Sequence, residues 1–380
     1  MKNSTDTERE QQILQEKLTR RIESGRISAE PYLKQIEQTG KLINDFILPL
    51  GQNKLISFLP DKENHSKIEM HLSNGHEKIF GIHKHAVVQV ADKLDVNSTY
   101  IKDLISVKEP WRIDLAAHVL EQHSINTPRK RVLVREVGGE VRGFLSDQFR
   151  RLDSNLIFGA FLSASSNTGA IVCSAYADAT RYWIEVLFPQ TFSVPTNKNG
   201  IITLAYGMRI GTSDFGDGAL ELRAFMIQVV CFNGMVRDSI IRAVHLGQQI
   251  PDNIRLSDKT YLLDSKTQAS FVTDAVKQLM NKDSIMQQAV QIQQASDIVV
   301  DLDKEFKQLQ KINRSGLSKT EVESLKKIIT NNRTEDGVQG ENTLWKLAQG
   351  VGAVARDTED NRRKRELEQI SGELFDRLKK

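Results

Sequence analysis

Cysteine is nearly absent: Cys173 and Cys231 are the two thiols in 380 residues. Two cysteines so far apart make no disulfide framework and suit a reducing compartment, where free thiols behave as small apolar groups. Long apolar runs are also missing. None approaches the roughly 20 residues needed to cross a bilayer, and the opening MKNSTDTEREQQILQEK is too polar for a secretory signal. A cytoplasmic location with no membrane partner is therefore expected. Nor does one sign of charge dominate. Lys and Arg number 52 against 49 Asp and Glu, a net charge of +3, so only local clustering can point to a polyanion.

Motifs with a fixed chemistry are absent too. There is no P-loop, no GxGxxG after a strand and no GxSxG elbow, so no cofactor or nucleotide cradle is expected. Internal repeats, low-complexity tracts and sustained heptads do not occur. What remains is an ordinary globular composition, 39% hydrophobic and 27% charged, long enough for one large or two smaller domains.

The most organised stretch is KRVLVREVGGEVRGFLSDQFRRLD, Lys130 to Asp153. It alternates apolar and polar residues on either side of Gly138-Gly139, which predicts a β-hairpin with glycine supplying the positive φ of the turn. Seven basic residues from Arg129 to Arg151 stand against the three acids Glu136, Glu140 and Asp147.

Around it, the apolar spacing predicts helix over 8–50 and short strands over 52–80, with Asn74-Gly75 as a turn. Two short helices, one over Val87–Ala91 and one capped by Asn97 or Ser98, fit either a groove-reading helix-turn-helix or plain packing on a sheet. Pro110-Trp111 starts a further helix. Strands are expected at 170–175, 181–188, 201–210 and 219–232, with a long loop over 189–200 and a turn at Asn233-Gly234. After about residue 265 the pattern is helical, with Ser318 and Glu321 as a capping box. The fold class is therefore α+β: an antiparallel hairpin-rich sheet packed by helices, with a helical C-terminal third. The expected organisation is an extension over 1–80, an α+β core over 81–265 and a helical region over 266–380.

Two constellations could carry chemistry. Arg131, Arg135, Arg142, Arg150 and Arg151 suit bidentate phosphate contacts, and Phe149 and Trp183 could stack unpaired bases. They fit equally well as arginines paired with neighbouring acids and aromatics in the core. Asp214 and Asp217, in GTSDFGDG, could hold a magnesium ion with Glu185 or Glu221, or simply build a turn. His71, His76, His83 and His85 cluster without a further donor at ligand spacing, so no metal site is assigned. The basic run Arg362 to Arg365 reads as a solvated helix face.

Three blocks, KRVLVREVGGEVRGFLSDQFRRLD, GMRIGTSDFGDGALELRAFMIQVVCFNGMV and NTLWKLAQGVGAVA, resemble the phage/plasmid-like proteins that carry domain of unknown function nine hundred thirty-two. The resemblance spans roughly 80–375, with LSDQFRRLD at Leu145–Asp153 and VCFNG at Val230–Gly234. Family members usually have Tyr where Phe149 stands. The resemblance implies a setting in mobile-element DNA metabolism, and its outline is similar to ring-forming annealing proteins, an analogy of fold alone. The leading expectation is a non-enzymatic, homo-oligomeric protein that binds single-stranded DNA, as an accessory factor in annealing or recombination. The alternatives are a metal-dependent phosphodiester enzyme and an interaction protein acting on a host DNA-processing or restriction component.

Overall fold

The chain opens with α1 (Ser4–Leu42), a 39-residue helix. Leu18, Ile22, Ala29 and Ile36 on it are buried, which is the stripe of a helix lying along one surface. That surface includes the strand Ile171–Ala177. A Cβ on Gly25 would stand 1.9 Å from the Cys173 carbonyl oxygen, so glycine is what lets helix and strand approach so closely. Pro31 sits inside the helix; burial of the stripe from Leu18 to Ile36 offsets the lost hydrogen bond. The helix expected to reach residue 50 stops at Leu42, and INDFILPL is strand β1 (Ile43–Leu50). An apolar run this short fits either period, and pairing with the basic hairpin decides it.

The computed structural model describes residues 4–51, 55–63, 65–74, 76–128, 130–152, 154–243, 257–280, 282–311, 316–331 and 338–374. After β1 come β2 (Ile56–Pro60), β3 (Ile68–Asn74), β4 (His76–Ile82), α2 (Lys84–Lys93), α3 (Ser98–Ser106), α4 (Pro110–Asn126), β5 (Lys130–Val137) and β6 (Glu140–Ser146). The six strands form one sheet in the order β1-β5-β6-β4-β3-β2. All its pairs are antiparallel except β4 with β6. The expected β5–β6 hairpin is present, with Gly138 and Gly139 at φ 60° and 89°. Because β4 spans residue 80 and joins β6, the strands before that position belong to the same sheet as the hairpin. Of the Asn74-Gly75 turn, Gly75 lies outside the described residues.

Helices α2, α3 and α4 cover this sheet. Phe58, Met70, Val90, Leu120, Val134 and Phe144 share their core. Asn97 caps α3 by accepting from the Tyr100 N–H, so the short helix pair is as expected, with its apolar faces spent on the sheet.

A second sheet follows α5 (Ser154–Asn167): β7 (Ile171–Ala177), β8 (Tyr182–Thr196), β9 (Gly200–Thr212), β10 (Leu220–Gln228) and β11 (Asn233–Ala243). Its order is β11-β10-β9-β8-β7, antiparallel throughout. Two details differ from expectation. The loop foreseen over 189–200 is largely strand: β8 runs through Pro189 and Pro195, and the ladder shifts register between Leu187 and Thr191. A bulge is where a strand tolerates a residue without an N–H. The reversal foreseen at Asn233-Gly234 occurs one step earlier, over Val229–Phe232, with Gln228 opposite Asn233. Phe232 itself takes φ 55°, a left-handed conformation rare for an aromatic residue.

The C-terminal third is helical: α6 (Asp258–Leu279), α7 (Lys282–Asp297), α8 (Leu302–Lys311), α9 (Lys319–Thr330), α10 (Leu344–Arg356) and α11 (Asn361–Glu373). The Ser318–Glu321 capping box is formed. Val272, Val276, Leu325, Trp345, Leu347 and Leu367 pack with β8–β10 residues in the main core. The fold is α+β, as expected. No helix among the described residues is long and apolar enough to cross a membrane.

Candidate polyanion-binding face

The hairpin was the first place to look for phosphate contacts, and its arginines are already engaged. Arg131 meets Asp147 at 2.8 Å. Arg135, 7% exposed, donates to the Asp45 carboxylate at 2.8 Å and to the Asp214 carbonyl at 2.7 Å. Arg142 meets Glu140 at 3.0 Å. Arg150 forks onto both oxygens of Asp264, and Arg151 reaches Asp45 at 3.3 Å while lying over the Tyr261 ring. The aromatic candidates are interior. Phe149 packs against Leu133 and Leu145. Trp183, also buried, stacks on Tyr176 at 4.1 Å with the Arg365 guanidinium 5.5 Å from its ring.

Of these residues, Arg135, Arg151 and Asp214 come together, lining a cleft of about 620 Å³ between β1, β5 and α6. Asp214 and Asp217 diverge. The buried Asp214 carboxylate accepts from Ser154 Oγ at 2.6 Å, whereas Asp217 accepts from Thr180 Oγ1 at 2.7 Å and pairs with Arg362 at 2.9 Å. Glu221 binds Arg223. His83 caps α2, His85 reaches the Phe215 carbonyl, and His71 lies between Glu69 and Glu77. No group of three His, Cys, Asp or Glu among the described residues could hold a metal ion.

A different basic surface emerges where α1 and α11 lie against one face of the five-stranded sheet. Alternation along β8 and β9 puts Glu185 and Arg209 on that face, directly opposite each other. Arg209 donates to Glu185 at 2.6 Å and to Glu368 of α11 at 2.5 Å. Arg365 joins the same two acids at 2.5 and 2.9 Å. Burial pushes the Glu368 carboxyl up, but Arg365 and Arg209 outweigh it and hold it down to about 2. This square of two arginines and two carboxylates anchors α11, so the run Arg362 to Arg365 is not a solvated face.

Beside the square opens a cleft of about 580 Å³. Its lining holds five cations, Arg21, Arg209, Arg356, Lys364 and Arg365, against the two carboxylates Glu185 and Glu368. Arg209 and Arg365 are neutralised by those acids, and Arg356 meets Asp357 at 2.9 Å. Lys364 and the exposed Arg21 have no carboxylate partner among the described residues. Burial lowers the Lys364 ammonium below its ordinary value; the nearby Glu368 and Glu185 charges oppose that shift, and Arg365 and Arg21 add to it. The lining also holds the apolar residues Leu187, Phe225, Ile227 and Phe232, with the Arg209 guanidinium 5.6 Å from the Phe225 ring centre. Lys17 Nζ and Arg21 Cζ stand 5.3 and 5.8 Å from the Phe232 ring centre.

Of the cleft residues only Glu185 was singled out from the sequence as a binding group, and then as a metal ligand; the cleft's cations and apolar groups were not. Arg21 lies in a helix whose acids and bases balance, and Phe232 looked like strand rather than turn. The RRKR run was the visible signal, but only the contact of Arg365 with Glu185 on β8 gives it a role. No protein-family model, curated protein or solved structure matches the chain.

Proposed function

We propose that the protein binds single-stranded nucleic acid without acting on it chemically, through the cleft between α1 and α11. The observation that carries this reading is the partly buried Lys364, which shares the cleft with Arg21 and lacks a carboxylate partner among the described residues. A desolvated cation beside another cation gains most from an anion that satisfies both. The hairpin arginines have little to gain, because each already meets a carboxylate. The resemblance to phage/plasmid-like proteins supplies the setting, the handling of mobile-element DNA in the cytoplasm, with several copies of the chain sharing one strand.

The test is fluorescence anisotropy with a labelled single strand and its duplex, at low and moderate salt. Binding should favour the single strand and weaken steeply as salt rises. Losing two phosphate contacts in Arg21→Gln/Lys364→Met should flatten the slope of log affinity against log salt by about 1.4. Equal, salt-insensitive binding of both forms, or no binding, refutes the reading.

A further inference from the structure

The cleft has two chemically different halves. Arg21, Arg356 and Lys364 make a cationic rim, and Leu187, Phe225, Ile227 and Phe232 make an apolar wall, in which Arg209 lies over the Phe225 ring and Lys17 and Arg21 lie over one side of the Phe232 ring. A site for phosphate alone needs only the rim. A wall of rings next to it is what a ligand with both an anionic group and a flat apolar ring requires. Phe232 is held in that wall by a turn whose backbone is in the left-handed region at φ 55°. Such a conformation is strained in a residue other than glycine, and glycine stands two positions away, at Gly234, in regular strand.

Resting on the nucleic-acid reading, we propose that the cleft seats one complete nucleotide unit, its phosphate on Lys364 and Arg21 and its base against Phe232. Recognition is then of a base swung out of the strand, not of backbone charge alone, and this gives the protein its preference for unpaired DNA. The same chemistry is offered by a strand interior and by a free nucleoside monophosphate.

The experiment compares oligodeoxythymidine with an abasic oligomer of equal length and charge, on the full chain and on Phe232→Gly. Glycine removes the ring and suits the left-handed turn, and an unchanged urea midpoint verifies the fold. Oligodeoxythymidine should bind about 5- to 100-fold more tightly than the abasic oligomer, and Phe232→Gly should erase that difference while leaving abasic binding unchanged. Competition by thymidine monophosphate, where inorganic phosphate fails, supports the pocket and adds the free nucleotide as a ligand. Failure of both competitors, with the base dependence intact, supports it for the strand alone. Equal binding of the two oligomers, or a Phe232→Gly variant that keeps the difference, overturns the nucleotide pocket and leaves a polyanion surface. Absence of binding to either oligomer refutes the nucleic-acid reading itself.

Discussion

Glu368→Gln tests the buried square that fixes α11 to the sheet. The carboxylate is 5% exposed and takes guanidinium donors from Arg209 and Arg365 at 2.5 and 2.9 Å. The amide keeps the shape but removes the charge, leaving two arginines to share Glu185. Removing one partner of a buried ion pair costs about 3–5 kcal/mol, and the two guanidiniums hold the carboxyl well below its ordinary value, so it is charged at neutral pH. Because the folded value is depressed, the stability that the charge contributes is fully present above about pH 4.5 and is lost as pH falls toward 2. Urea unfolding followed by tryptophan fluorescence suits the case, since Trp183 lies beneath Arg365. The variant should be about 3–5 kcal/mol less stable at pH 7, with the gap closing progressively below pH 4.5. A gap under about 1 kcal/mol at pH 7, or one that stays constant down to pH 2.5, refutes the assignment of the square as a net stabiliser.

Two glycines in helices should respond oppositely to alanine. Gly25→Ala drives a methyl onto the Cys173 carbonyl and should cost about 1–3 kcal/mol in urea melts. Gly159→Ala meets nothing within 4 Å and should gain about 0.5–1 kcal/mol. Trp345→Ala removes a fully buried ring from the main core and should lower stability by about 3–5 kcal/mol, read as a fall in thermal midpoint. Arg150→Gln breaks a half-exposed pair with Asp264, so it should change stability by less than about 1 kcal/mol and leave nucleic-acid affinity within twofold of the parent. A tenfold loss of affinity there would return the binding site to the hairpin.

Local signals in the chain determined a good deal. Gly138-Gly139 between alternating valines specified the hairpin, Ser318 with Glu321 specified a helix start, and four strand cores of the second sheet were legible from β-branched runs. These are short-range effects, decided by φ preferences, capping and side-chain period. Tertiary structure decided the rest. INDFILPL became strand because β5 offered it a ladder, and VVCF became the turn because Gln228 pairs with Asn233. The fate of each charge was the least legible. Arg135 and Arg150 looked available because their partners Asp45 and Asp264 are about 90 and 114 residues distant, while Lys364 looked solvated beside arginines that turn inward. Pairing is a through-space property: a charge is spent or free according to what folding brings within a few ångströms, and sequence distance carries no information about that.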